Sequence, residues 1–188
     1  GSAKALVLAG GGTRGWAHVG AMRAVYESGL EFDLVGGTSA GSVVSAIYAR
    51  GATYEELSEG MDGLLKSSLE VLRMANYTLP LVSISNAKAN TLLLEQLFGE
   101  TQIEQLQRLF FCVSCNITRS EEMVHSNGLL WQALRASCSV PGIAPPVVIG
   151  GELYVDGGII NNMPVDVARD KLDGSGHVTA VDLSMTKR

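Results

Sequence analysis

Apolar residues in this chain occur in two patterns: short unbroken runs, and longer stretches where they return every three or four positions. Ala5–Ala9 is the first run, and its apolar centre predicts a strand buried on both faces of a parallel sheet, ended by glycines. From Gly15 to Ser28, Val19, Met22 and Tyr26 recur at helical spacing, and Gly29 stands where a helix C-cap belongs. Phe32–Val35 predicts a second short strand, broken by Gly36-Gly37, and Ser42–Arg50 a second helix closed by Gly51. Thr53-Tyr54-Glu55-Glu56 has the spacing of a capping box, after which Leu57, Met61, Leu64 and Leu65 continue an amphipathic helix.

Periodicity fades over about 73–89, which contains Pro80 and small polar residues, and this stretch is expected to be a loop or lid. Helical spacing returns at Leu92–Phe98, and Thr101–Glu104 offers another capping box. Leu109–Ile117 predicts a strand, Met123–His125 a shorter one turned by Ser126-Asn127-Gly128, and Leu129–Ser137 a helix. Val147–Ile149 and Leu153–Val155 flank Gly150-Gly151 at hairpin spacing. Pro164 opens a helix running toward Leu172, and His177–Leu183 closes the chain as a strand. Strands alternating with helices predict a three-layer α/β/α sandwich with a mainly parallel central sheet, in a single domain over residues 1–188.

Composition narrows the function without choosing it. At 188 residues a single domain buries roughly 70% of its unfolded surface, so no staple is needed. A formal charge of −5, with no basic run, gives no reason to bind nucleic acid. Cys112, Cys115 and Cys138 are an odd number, which argues against a disulfide framework and for a reducing compartment or simple core packing. Cys112 and Cys115 have C-x-x-C spacing, but they lie in a predicted strand, where residues three apart face opposite ways, and core packing is the expectation. No stretch approaches the ~20 apolar residues of a membrane span. Gly1-Ser2 is expected to be a cloning remnant, and the chain to be a domain cut from something longer.

The one compositional excess, 22 glycines, is clustered, and the clusters carry the candidate chemistry. Gly37-Thr38-Ser39-Ala40-Gly41 lies between a short apolar strand and a helix, the pattern of a nucleophile elbow. Small residues flank a serine whose hydroxyl projects at a helix N-terminus, where developing negative charge is favoured. Gly10-Gly11-Gly12-Thr13-Arg14-Gly15 supports two readings. It satisfies G-x-G-x-x-G with Asp33 18 residues past Gly15, as in dinucleotide binding. It equally offers the amides of Gly11, Gly12 and Thr13 to the oxygen of a tetrahedral intermediate. Asp33 falls near the start of its strand rather than the end, which disfavours the dinucleotide reading. Arg14 could order this loop or attract a phosphate-bearing substrate.

Asp156-Gly157-Gly158 follows the apolar run Leu153–Val155, and a carboxylate there can serve as general base if it reaches the serine hydroxyl. A histidine partner is the alternative. The order Ser39, Asp156, His177 matches that of an α/β-hydrolase triad, but His177 begins its predicted strand, and only one strand precedes the elbow strand. His18, His125 and His177 are therefore each expected to be structural.

Taken together, the three clusters resemble the patatin-like phospholipase family. Arg135-Ala136-Ser137-Cys138-Ser139 with Pro141 and Pro145 resembles the segment that family carries before its aspartate, so the resemblance spans nearly the whole chain. Trp16-Ala17-His18-Val19-Gly20, Val35-Gly36-Gly37-Thr38-Ser39 and Asn161-Asn162-Met163-Pro164-Val165-Asp166-Val167-Ala168 are similar to the neuropathy target esterase branch and its bacterial relatives. The resemblance implies a patatin-like fold and a Ser-Asp dyad hydrolase acting on phospholipids or lysophospholipids, without metal or cofactor. Ser39 would be nucleophile, Asp156 base and the Gly11-Gly12 region the oxyanion hole; on the reading of the residues themselves, Gly10, Gly11, Gly12 and Thr13 are the candidate oxyanion-hole residues and Arg14 a candidate substrate-binding residue. Such an enzyme would touch membrane surfaces transiently, in the cytoplasm or at the cytoplasmic membrane face. That branch usually attaches cyclic-nucleotide-binding and membrane-anchoring segments, neither of which occurs in these 188 residues.

Overall fold

The computed structural model describes residues 2–75 and 81–184. Lys4–Leu8 (β1) lies inside the sheet, as expected for a strand in which every residue after Lys4 is buried. It pairs in parallel with Leu34–Thr38 (β2) on one edge and with His177–Val181 (β7) on the other. β2 pairs in parallel with Leu109–Asn116 (β3). Glu121–His125 (β4) and Glu152–Asp156 (β6) both run antiparallel to β3, and Val147–Ile149 (β5) folds onto β6 as the expected hairpin. The seven strands make one mixed sheet, parallel through β3-β2-β1-β7 and antiparallel beyond.

Alternate residues of β1 enter two core layers. Leu6 and Leu8 pack with Trp16–Ser28 (α1), Ala40–Ala49 (α2), Tyr54–Ala75 (α3), Leu81–Phe98 (α4) and Leu130–Ser137 (α5), while Ala5 and Val7 pack with Val165–Lys171 (α6). The architecture is an α/β sandwich with helices on both faces. Cys112 and Cys115 are buried free thiols of β3. Among the described residues, no helix is long and apolar enough to cross a membrane.

Two local expectations change. Of the stretch expected over about 73–89 to be a loop or lid, residues 73–75 continue α3 and 81–89 belong to α4, helix where a loop is one of the two expectations; 76–80, including Pro80, lie outside the described residues. The helical parts contain neither Gly nor Pro, and the sequence of α4 spreads its apolar residues around the helix instead of along a stripe, so no period announces it. The capping box expected at Thr101–Glu104 is formed one residue later, where the Gln102 N–H donates to Gln105 Oε1 at 2.9 Å on a short 3₁₀ turn. The box at Thr53 and Glu56 forms as expected, with reciprocal bonds of 2.8 and 3.2 Å.

The register of β3 positions the site. β4 pairs with 112–116, overlapping both β2, which pairs with 109–113, and β6, which pairs with 114–116. A strand has two edges, so β4 holds one, and β2 and β6 share the other end to end. Thr38 faces Val113 and Asp156 faces the next residue, Ser114. The C-terminal ends of β2 and β6 therefore meet, bringing position 39 beside position 156.

Candidate active site

Ser39 follows β2 directly, with φ 53° and ψ −126°, a conformation that costs a non-glycine residue about 1–3 kcal/mol. Its neighbours hold it there. The Ser39 N–H donates to Ser137 Oγ at 2.9 Å, and Ser137 Oγ donates to the Val113 carbonyl at 2.6 Å. The Ser39 carbonyl accepts from Ser42 Oγ at 2.6 Å and from the Ser42 N–H at 2.9 Å, the first turn of α2. The flanking glycines are required by close approach, since a Cβ on Gly37 or Gly41 would run into the Leu8 carbonyl oxygen of β1.

Asp156 ends β6 with its side chain buried, and its Oδ1 accepts the Gly158 N–H at 2.7 Å. Burial raises its pKa above the ordinary 3.8, while the Ser39 hydroxyl and the Gly158 amide draw it back down. The hydroxyl is thus near enough to influence the carboxylate, yet Oδ2 has no well-aligned hydrogen-bond partner among the described residues and is left as a buried acceptor. A lone acceptor beside a serine hydroxyl is suited to take a proton. The Cys138 thiol touches the same space, with the Ser39 and Ser42 hydroxyls in hydrogen-bonding reach. Burial, and then the nearby Asp156 charge, push its pKa up to about 12, so it stays a neutral thiol.

The glycine loop leaves β1 at the same place. A Cβ on Gly10 would lie 3.4 Å from Ser39 Cβ, so loop and elbow are in contact. Gly10 differs from the other three expected oxyanion-hole residues in that its N–H is bonded to the Asn162 carbonyl at 3.0 Å. Gly12–Gly15 form a 3₁₀ turn whose first loop-closing bond is from the Arg14 N–H to the Gly11 carbonyl at 3.1 Å. The amides of Gly11, Gly12 and Thr13 precede that bond, and the turn does not use them. Arg14 is exposed, and its charge is felt by Asp182 beyond β7.

The histidines and Asp33 lie elsewhere. His177 pairs with Lys4 at the opposite end of β1, about 13 Å of strand from the elbow. Asp33 is at that same far end, where Oδ2 accepts the Lys4 N–H at 2.8 Å. A ribose-binding acid would have to stand beside the glycine loop, so the dinucleotide reading loses its acid. His125 is buried against Ser114 Oγ at 2.7 Å, and burial lowers its pKa to about 4. His18 is fully buried and donates from Nε2 to the Ala9 carbonyl at 2.6 Å; burial lowers its pKa and keeps the ring neutral. Among the described residues, no group of three or more His, Cys, Asp or Glu is arranged to hold a metal ion. Sequence reasoning missed the contacts of Ser137, Cys138 and Asn162 with the site, because each depends on a partner roughly 100 or more positions away.

Comparison with known proteins matches residues 6–169 to the family described as patatin-like phospholipase. The chain is 38% identical over 192 residues to patatin-like phospholipase domain-containing protein 7 of Mus musculus, an alignment covering 97% of this chain and 14% of that one. An uncharacterized NTE family protein of Mycobacterium bovis is 38% identical over 188 residues, covering 96% of this chain and 30% of that one. The chain therefore spans under a third of the length of these relatives. The crystal structure of VipD from Legionella pneumophila superposes with a TM-score of 0.64 at 18% identity, covering 100% of this chain and 51% of that one, a likeness of fold.

Proposed function

The chain belongs to the patatin-like phospholipase family, and on that premise we propose that it is a lipid acyl hydrolase in which Ser39 and Asp156 act as a dyad. The observation that carries the proposal is the end-to-end meeting of β2 and β6 on one edge of β3. Ser39 Oγ attacks the ester carbonyl carbon as its proton passes to Asp156. The carbonyl oxygen, now negative, lies toward the amides of Gly11, Gly12 and Thr13 and the N-terminus of α2. Collapse of the intermediate expels the alcohol, which takes the proton from Asp156 and leaves Ser39 acylated. Water then attacks the acyl-enzyme, Asp156 again accepts the proton, and the carboxylic acid departs with Ser39 restored.

Phospholipids or lysophospholipids are the proposed substrates, and residues 1–188 the proposed catalytic domain, working in the cytoplasm or at the cytoplasmic membrane face. Trp16 follows the glycine loop, Ile143 follows the Ser139 turn, and Ile159 and Ile160 follow Asp156, all of them exposed. Apolar side chains around the candidate site suit transient contact with a lipid surface. Nothing in this reading requires a cofactor. A silent lipid-binding module is the second reading, favoured by the low exposure of Ser39, 7%, and Asp156, 5%.

A fluorophosphonate separates the two, because it labels a serine only when base and oxyanion hole are in place. The expected result is labelling at Ser39, with turnover of a lysophospholipid falling by about three orders of magnitude or more in Ser39→Ala and Asp156→Asn. His177→Ala retains most of the activity. A folded protein that neither labels nor turns over, yet binds lipid vesicles, would sustain the second reading.

A further inference from the structure

Asn162 joins the two glycine clusters. Its backbone carbonyl accepts the Gly10 N–H at 3.0 Å, and its side-chain Nδ2 donates to the Gly10 carbonyl at 3.1 Å, so one residue holds both polar groups of Gly10. A Cβ on Gly10 would collide with Asn162 Oδ1, and one on Gly158 would lie 3.1 Å from that oxygen and 3.0 Å from Asp156 Oδ1. The Asn162 side chain therefore stands between the start of the glycine loop and the turn that follows Asp156.

The Gly10 carbonyl and the Gly11 N–H belong to one planar trans peptide and point in opposite directions. With glycine on both sides, side-chain sterics do little to stop that peptide from rotating. A bond to the carbonyl fixes the direction of the amide on its other side. Among the described residues, no backbone or side-chain hydrogen bond takes the Gly11 N–H. We infer that Asn162 is a positioning residue: by gripping the Gly10–Gly11 peptide from outside the loop, it keeps the Gly11 N–H turned toward the carbonyl that Ser39 attacks. The inference rests on the reading of Ser39 and the glycine loop given above. It adds a residue that motif reasoning left as part of an Asn-Asn-Met-Pro string.

Asn162→Ala and Asn162→Asp in the full 188-residue chain test it. Alanine removes the donor, and aspartate keeps the shape but presents an acceptor to the Gly10 carbonyl. Asn162 is exposed, so both variants are expected to melt at the wild-type temperature. With p-nitrophenyl butyrate, a lost transition-state donor lowers kcat and kcat/KM together by about tenfold at unchanged KM, the effect of roughly one neutral hydrogen bond. Amide hydrogen exchange of the segment 9–15 quickens in both variants while that of β2 does not. Wild-type kcat with unaltered exchange in Asn162→Ala would overturn the inference, as would a rise in KM alone or an activity loss that merely tracks a lower melting temperature. If the unsubstituted protein shows neither turnover nor labelling of Ser39, the functional reading falls separately, and the exchange comparison still decides whether Asn162 holds the loop.

Discussion

At the scale of single residues, the candidate site concentrates unfavourable terms. Ser39 has positive φ, and Asp156 carries a carboxylate out of water with one oxygen that has no well-aligned hydrogen-bond partner among the described residues. The raised pKa of Asp156 gives that cost a sign. A carboxyl group that binds its proton more tightly folded than unfolded stabilises the fold below pH 3.8, and the contribution is lost as pH rises through the folded value. At neutral pH the ionised group therefore weakens the fold. Asp156→Asn keeps an acceptor for the Gly158 N–H and removes the charge, so we expect its melting temperature to rise by a few degrees at pH 7, about 2–4 °C per kcal/mol regained, and by less at pH 4. Thermal melts at the two pH values test this. In the wild type, kcat/KM should fall on acidification with an apparent pKa above 3.8, and an acid limb at or below that value would contradict the burial argument.

Between elements, glycine has opposite meanings at different positions, and the sequence does not distinguish them. Gly41, in the first turn of α2, lets that helix lie against the end of β1, where a Cβ would meet the Leu8 and Ala9 carbonyls. Gly20, on the exposed side of α1, has nothing within 4 Å of an added Cβ. Gly41→Ala should cost about 1–3 kcal/mol or more as overpacking and move the elbow, whereas Gly20→Ala should add about 0.5–1 kcal/mol through helix propensity. Denaturant titration of both variants checks the pair, and equal effects would mean that the approach of α2 to β1 is not what constrains Gly41. Most elements were legible because their apolar periods are strong: α1 ends at Gly29 with φ 65°, and the β5–β6 hairpin turns at Gly150-Gly151. α4 was legible only at its C-terminal end, because a helix with apolar residues all round has no period to detect.

For the whole molecule, one sheet with helices on both faces predicts that the described core unfolds as a unit. Its acid sensitivity should carry the mark of His125. Burial lowers that imidazole from 6.5 to about 4, so the unfolded chain binds a proton that the folded chain refuses. The corresponding stability is present above pH 6.5 and is lost as pH falls toward 4, up to about 3 kcal/mol. Asp156 acts in the opposite direction as pH falls. His125→Gln should flatten the decline between pH 6.5 and 4, and urea midpoints across that range measure it; an unchanged slope would assign the decline to other groups.

The linear sequence by itself determined the alternation of strands and helices, the elbow around Ser39, the glycine loop and the Asp-Gly-Gly turn, because each is encoded within a few adjacent residues. The tertiary structure alone decided which of these meet. The approach of Ser39 to Asp156 depends on two strands sharing one edge of β3, the bonding of the Gly10 N–H depends on Asn162, and His177 and Asp33 are set apart by lying at the far end of β1. Such partnerships span up to about 150 positions and arise from register and strand order, which no local period or motif specifies.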